Sequence, residues 1–298
     1  MKLKTIIVIA GPTAVGKTSL AIALAKHFNT EIISADSRQC FKELDIGVAK
    51  PGTEQLNEVR HYFINSHSIH EHVNAATFEQ YALQSAGDIF RRHDVAILVG
   101  GTGLYIKAFC EGLDEIPAIG GAVREEIISN YKQSGLAWLQ EQVRVNDPEY
   151  FATGEIANPQ RLMRALEVKL GTGKSIRHYQ QGRKLIRDFS IIKVGLELPK
   201  QTLYSNIAHR VDEMMKQGLL EEVKSLVPFR TRPALRTVGY SELFSYLDAE
   251  ISLDDAVLAI KKNTRQYAKR QMTWFKRDPS IKWFSPAETQ EIIDLYRR

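Results

Sequence analysis

Two cysteines in 298 residues, Cys40 and Cys110, leave no material for a disulfide framework or a thiolate zinc cluster. They suit a reducing compartment. No apolar run approaches the ~20 residues that a membrane-spanning helix needs. The opening MKLKTIIVIA has lysines ahead of an apolar stretch, but Ile6 to Ala10 is shorter than a secretory core and runs straight into a glycine-bearing loop. A buried first strand is expected there, in a cytoplasmic protein with no membrane partner. Internal repeats and low-complexity tracts are missing too, which excludes solenoids and disordered arrays. The charge is nearly balanced, with 40 Lys and Arg against 35 Asp and Glu and a net +5. That bias is compatible with a polyanionic partner and does not demand one.

What remains is an ordinary globular composition, 44% hydrophobic and 25% charged. The length suits one large domain, or a core with a smaller appendage. Continuous β-branched runs at 5–10, 30–35 and 95–99 read as strands buried on both faces. Helical stretches lie between them, at 17–27 and at 77–93, the latter with Thr77 and Gln80 spaced as a capping box. This alternation predicts a parallel α/β sheet. From 114 to 187 only helical patterns occur, including a start at Asn158-Pro159. Strand character returns at 190–198, a long helix is expected near 253–277, and a short strand at 281–284. The fold class expected is α/β: a P-loop NTPase-like parallel sheet core, 1–113 and 188–298, with an inserted all-helical domain, 114–187.

One motif is unambiguous. Gly11, Gly16, Lys17 and Thr18, with Pro12, Thr13, Ala14 and Val15 between the glycines, spell G-x-x-x-x-G-K-[ST] between a predicted strand and a predicted helix. Glycines let successive amides point inward as an anion nest. The helix start adds its positive end, Lys17 a mobile charge, and the Thr18 hydroxyl a ligand for Mg²⁺. A nucleotide-hydrolysing P-loop protein normally carries a second acid at the end of a later strand. Here that strand ends Val99-Gly100-Gly101-Thr102 without one. The acid-ending strand is instead the second, at Asp36, beside the crevice at the strand carboxyl ends. On the residues alone Asp36 is a metal-orienting acid, a general base for a second substrate, or a turn aspartate.

Two stretches are acid-poor. Residues 156–187 hold eight Lys and Arg, Arg183 among them, against one acid, Glu167; residues 261–277 hold seven and no acid. Each reads as a solvated helix face or as a phosphate-backbone contact. The two together favour nucleic acid. His61, His67, His70 and His72 match no zinc spacing and are expected on the surface or in loops.

Taken in order, GPTAVGKT, ISADSRQ, FKELDIGVAKP, VGGTGLYIKA, NPQRLMRALEV and NTRQYAKRQMTWFKR resemble the tRNA dimethylallyltransferases, also called tRNA isopentenyltransferases, over nearly the whole chain. The resemblance implies transfer of a dimethylallyl group from dimethylallyl diphosphate to N6 of adenosine 37 of tRNA, with Mg²⁺. The phosphate loop would then hold a diphosphate leaving group, and Arg210 would join it through its forked guanidinium, where residues alone read a solvated helix arginine. Asp36 becomes the base, with Thr102 also catalytic. Contact with the tRNA anticodon stem-loop falls on Asp36, Ser37, Arg38, Gln39, Thr102, Arg124, Gln160, Arg161, Leu162, Met163 and Arg164. Tyr105, Tyr240 and Trp274 are the aromatic candidates for holding the target base. A monomer is expected. The sequence departs from the family at Glu43, at Val48 and over RHYFINSHSIHEH (60–72). A small-molecule kinase would explain the loop and the sheet, but neither the basic runs nor the missing acid. A prenyltransferase acting on free adenine nucleotides would share all the phosphate chemistry.

Overall fold

The computed structural model describes residues 3–182 and 184–297, so Arg183 lies outside it. Its contacts divide the chain into two units, Met1–Glu111 with Ile186–Arg298, and Gly112–Leu185.

The first unit is built on six parallel strands in the order β3-β2-β4-β1-β5-β6. In chain order they are β1 (Thr5–Ala10), β2 (Ile32–Ser34), β3 (His61–Tyr62), β4 (Val95–Gly100), β5 (Ser190–Leu196) and β6 (Lys282–Phe284). The β1 side chains alternate between two cores. Ile6 and Val8 face one, Ile7 and Ile9 the other, and none is more than 1% exposed. Burying such side chains stabilises by about 1.5–3 kcal/mol each, which is why β1 is apolar from Ile6 to Ala10 rather than alternating. Helices cover both faces. Those of the first half are α1 (Lys17–His27), α2 (Thr53–Glu58), α3 (Ala75–Phe90) and α4 (Gly103–Glu111).

The capping box expected at Thr77 is displaced. Asn74 is the cap, its side chain accepting from the amides of Ala76 and Thr77 at 2.9 Å. Ala75 and Ala76, good helix formers, extend α3 upstream. The two-residue β3 has no expectation to match it.

The second unit is all helical: α5 (Gly121–Asn146, broken at Gly135), α6 (Pro148–Thr153), α7 (Pro159–Thr172) and α8 (Ile176–Tyr179). It has a core of its own, including Leu139, Val143, Leu162 and Leu166. Asn158 caps α7 as the sequence predicts, accepting from the Gln160 and Arg161 amides, with Pro159 in the first turn. The first unit then resumes with β5 and is completed by β6 and by α9 (Lys200–Lys216), α10 (Leu219–Ser225), α11 (Tyr240–Leu247), α12 (Leu253–Phe275) and α13 (Thr289–Arg297). Among the described residues no helix is long and apolar enough to cross a membrane.

Candidate active site

The site forms where β1, β2 and β4 end. After Ala10 the chain curls through the phosphate loop into α1. Gly16 adopts φ 101°, a left-handed geometry that other residues resist, and Ala14 is also left-handed at φ 62°. Thr13, Ala14, Gly16, Lys17 and Thr18 line a cavity of about 280 Å³. Val15 instead turns into the core, and Gly11 and Pro12 are buried behind the loop. The Lys17 ammonium donates to the Pro12 carbonyl at 2.7 Å. Burial, together with the Arg210 guanidinium, pushes Lys17 down to about 7, against an upward pull from Asp36. Arg210, from α9, reaches the loop and donates to the Thr13 hydroxyl at 3.2 Å. Burial lowers its pKa as well, while Asp36 raises it. Lys17 and Arg210, both half-buried, share this cavity with a single carboxylate among the described residues, so the site is short of negative charge.

That carboxylate is Asp36, the only Asp or Glu lining the cavity among the described residues. Its Oδ1 accepts from the amides of Arg38 (2.8 Å) and Gln39 (3.3 Å), while Oδ2 has no hydrogen-bond partner among the described residues. One oxygen is thus anchored, and the other meets no protein donor among the described residues. The turn after β4 lies against this loop. A Cβ on Gly100 would sit 2.1 Å from the Ala35 carbonyl oxygen, so only glycine fits. Thr102 lines neither this cavity nor the wider one described next. Its hydroxyl accepts from the Ser37 amide at 3.1 Å, and holds the Asp36 loop to the end of β4. Gln39 bonds the Ala49 carbonyl at 2.9 Å and ties down the turn that contains Val48.

A second cavity, about 610 Å³, shares Thr13, Asp36, Val48, Arg210 and Tyr267 with the first. Ser37, Arg38, Arg236 and Arg270 also line it. Three arginines beside Arg210 make its rim suited to an anionic chain.

Comparison with known proteins shows the family. A family model described as IPP transferase matches residues 39–278. The chain belongs to the IPP transferase family. It is 46% identical over 288 residues to a tRNA dimethylallyltransferase of Christiangramia forsetii, covering 97% of this chain and 95% of that protein. Among solved structures, the full-length tRNA isopentenylpyrophosphate transferase of Bacillus halodurans superposes with a TM-score of 0.72 at 32% identity, over 99% of this chain and 96% of that one. A eukaryotic dimethylallyltransferase acting on tRNA gives 0.72 at 27% identity, over 91% and 69%.

Within this IPP transferase fold several expected residues lie elsewhere than the sequence implies. Leu162 and Met163 are buried in the helical unit's core, because the inner face of α7 must be apolar. Only Gln160, Arg161 and Arg164 of that stretch reach solvent. Arg124 (2.8 Å) and Arg164 (3.1 Å) both pair with Glu167, itself 5% exposed, and Arg161 pairs with Glu155. The first basic run is therefore largely engaged: Arg177 stacks on Tyr150, and Arg187 binds Glu79 at 2.6 Å. In the second run Lys261 pairs with Asp212 and Lys276 with Glu197, while Lys262, Lys269 and Arg277 are exposed.

Two aromatic candidates are core residues. Tyr105 stacks on Phe78, and Tyr240 is fully buried with its hydroxyl on Glu222. Trp274 is 39% exposed. The aromatic lining both cavities is Tyr267, seven residues before it in the same quoted motif. His61 departs from its expected surface or loop place, lying half-buried in β3 with Nδ1 on the Val59 carbonyl. No group of three potential metal ligands of the His, Cys, Asp or Glu type occurs among the described residues.

Proposed function

We propose that this chain transfers a dimethylallyl group from dimethylallyl diphosphate to N6 of adenosine 37 in the tRNA anticodon stem-loop. The observation that carries the reading is the union, in one 280 Å³ cavity, of a cationic phosphate loop with a single carboxylate that has one unengaged oxygen. Lys17, Arg210 and the loop amides would receive the diphosphate and stabilise the charge that grows on it as the allylic C–O bond breaks. Val48, Pro51, Ile64 and Val99 give the same cavity an apolar wall for the five-carbon tail. The adenine amine then forms the C–N bond with its lone pair. Its proton passes to Asp36 Oδ2, and diphosphate departs with the electrons of the broken bond.

The hard oxygens lining the cavity, those of Thr18, Ser34 and Asp36, suit a magnesium ion. Such an ion is ordinarily held by one or two protein oxygens plus substrate phosphates. Bound there by Thr18, Mg²⁺ would neutralise charge on the leaving diphosphate. The wider cavity with Arg38, Arg236 and Arg270 is the place for the acceptor RNA, and exposed Lys262 and Lys269 add basic surface to the same unit; Gln160 and Arg161 are exposed on the helical unit. A cytoplasmic monomer fits these roles.

The test offers labelled dimethylallyl diphosphate and Mg²⁺ with tRNA carrying adenosine at position 37, with a matched guanosine-37 tRNA, and with AMP. Label entering the adenosine-37 tRNA alone is expected. Label entering AMP, or ATP-dependent phosphorylation of a small acceptor, would overturn the reading.

A further inference from the structure

The anion-binding half of the site and the Asp36 half are carried by different strand ends, and something must hold them in register. The β1–β4 ladder stops at the pair Ala10 and Gly100. Beyond it the phosphate loop curls one way and the turn into α4 the other. A single side chain from a distant helix joins them. Gln271 of α12 accepts from the Thr13 amide through Oε1 at 2.9 Å and donates through Nε2 to the Gly101 carbonyl at 2.9 Å. It is 6% exposed. One amide thereby supplies both halves of a missing rung. Only one orientation of the amide satisfies both partners, since one end must accept and the other donate.

The linkage runs on from both ends. The hydroxyl of Thr13 receives Arg210. Next to Gly101, Thr102 holds the Ser37 amide beside Asp36. We propose that Gln271 is the positioning residue that sets the phosphate loop, and with it Arg210, in register with the Asp36 loop. This rests on reading the loop as a diphosphate site. A carboxylate in its place would face the Gly101 carbonyl with a lone pair. A methionine of similar length would leave both backbone groups unpaired.

The experiment uses the full chain with Gln271→Met and Gln271→Glu, and with Gln271→Asn, whose amide is too short to bridge, in case the first does not fold. Four quantities are read: thermal midpoint, affinity for inorganic diphosphate with Mg²⁺ by calorimetry, affinity for unmodified tRNA, and kcat and KM for transfer. In folded Gln271→Met we expect diphosphate affinity about tenfold weaker and kcat reduced by a similar or larger factor, with tRNA affinity within twofold of wild type. Gln271→Glu should be weaker still, because it adds a negative charge. Diphosphate affinity and kcat within twofold of wild type in a folded variant would overturn the proposal. So would equal losses of diphosphate and tRNA affinity, which would mark general loosening of the fold. Wild-type protein that binds no diphosphate would overturn the phosphate reading itself, and this inference with it.

Discussion

Replacing Lys17 by arginine separates the charge of the phosphate loop from its titration. Burial and Arg210 hold the Lys17 ammonium down to about 7, so above that pH the lysine is mostly neutral. A bound diphosphate restores the charged form, and the proton must come from solvent. Linkage then fixes the size of the effect. With a free pKa near 7 the lysine is half protonated at about pH 7 and about one part in a hundred protonated at pH 9, so diphosphate affinity should fall about fiftyfold between them. The Lys17→Arg guanidinium stays charged throughout and should lose none of that affinity. Calorimetry in two buffers of different ionisation enthalpy, at pH 8, should show about 0.9 proton taken up per diphosphate by wild type beyond that taken up by Lys17→Arg; the difference cancels the ligand's own protonation. Stability of the protein without diphosphate should run the opposite way. Between pH 7 and the unfolded lysine's 10.5 the unfolded chain binds more protons, so stability rises with pH across that window. Equal proton uptake by the two proteins would refute the reasoning.

Asp36→Asn should reduce transfer by at least about a hundredfold while tRNA binding is retained in a filter assay; normal turnover would remove Asp36 from its role as base. Gly100→Ala should cost about 3 kcal/mol in a urea titration, because its methyl meets the backbone carbonyl of Ala35 rather than a side chain that can move. Arg124→Ala should cost more than Arg161→Ala, about 1–2 kcal/mol against under about 0.5. The partner of Arg124, Glu167, is buried, whereas Glu155 is exposed. Equal midpoints for those two variants would count against the burial argument.

The parts of the fold legible in the sequence are those with strong local signals. β1 and β4 are apolar on both faces, and Asn158-Pro159 caps and starts α7. The phosphate loop combines fixed spacing with a strand before it and a helix after it. β3 was not legible, because two residues at a sheet edge carry no periodicity. Burial separates residues that sequence treats alike. Tyr105 and Tyr240 pack in the core while Tyr267 faces the cavities, and Leu162 and Met163 turn inward between arginines that do not. Gln271 was out of reach for a different reason. Its partners are backbone groups some 170 and 258 residues away, and no residue pattern encodes a bond to a backbone amide. Likewise the acid-poor run at 156–187 is balanced in space by Glu155 and Glu79, which the linear count leaves outside or far from the run.

The interruption of the sheet by the helical unit has a consequence for how the protein is made. β5 lies beside β1 as partner of the chain's earliest strand, Ser190 opposite Thr5, yet it follows the whole segment Gly112–Leu185. During synthesis β1, β2 and β4 therefore emerge with one flank of β1 open, and that flank must wait until the helical unit has been completed. The unit's contacts are short-range and helical, so it can gather its own core in the meantime. Its collapse also shortens the effective loop that β1 and β5 must close, which lowers the entropic cost of their pairing. A segment with a core of its own thus separates β1 from its partner in the chain, and local helical contacts favour its folding ahead of that long-range pairing.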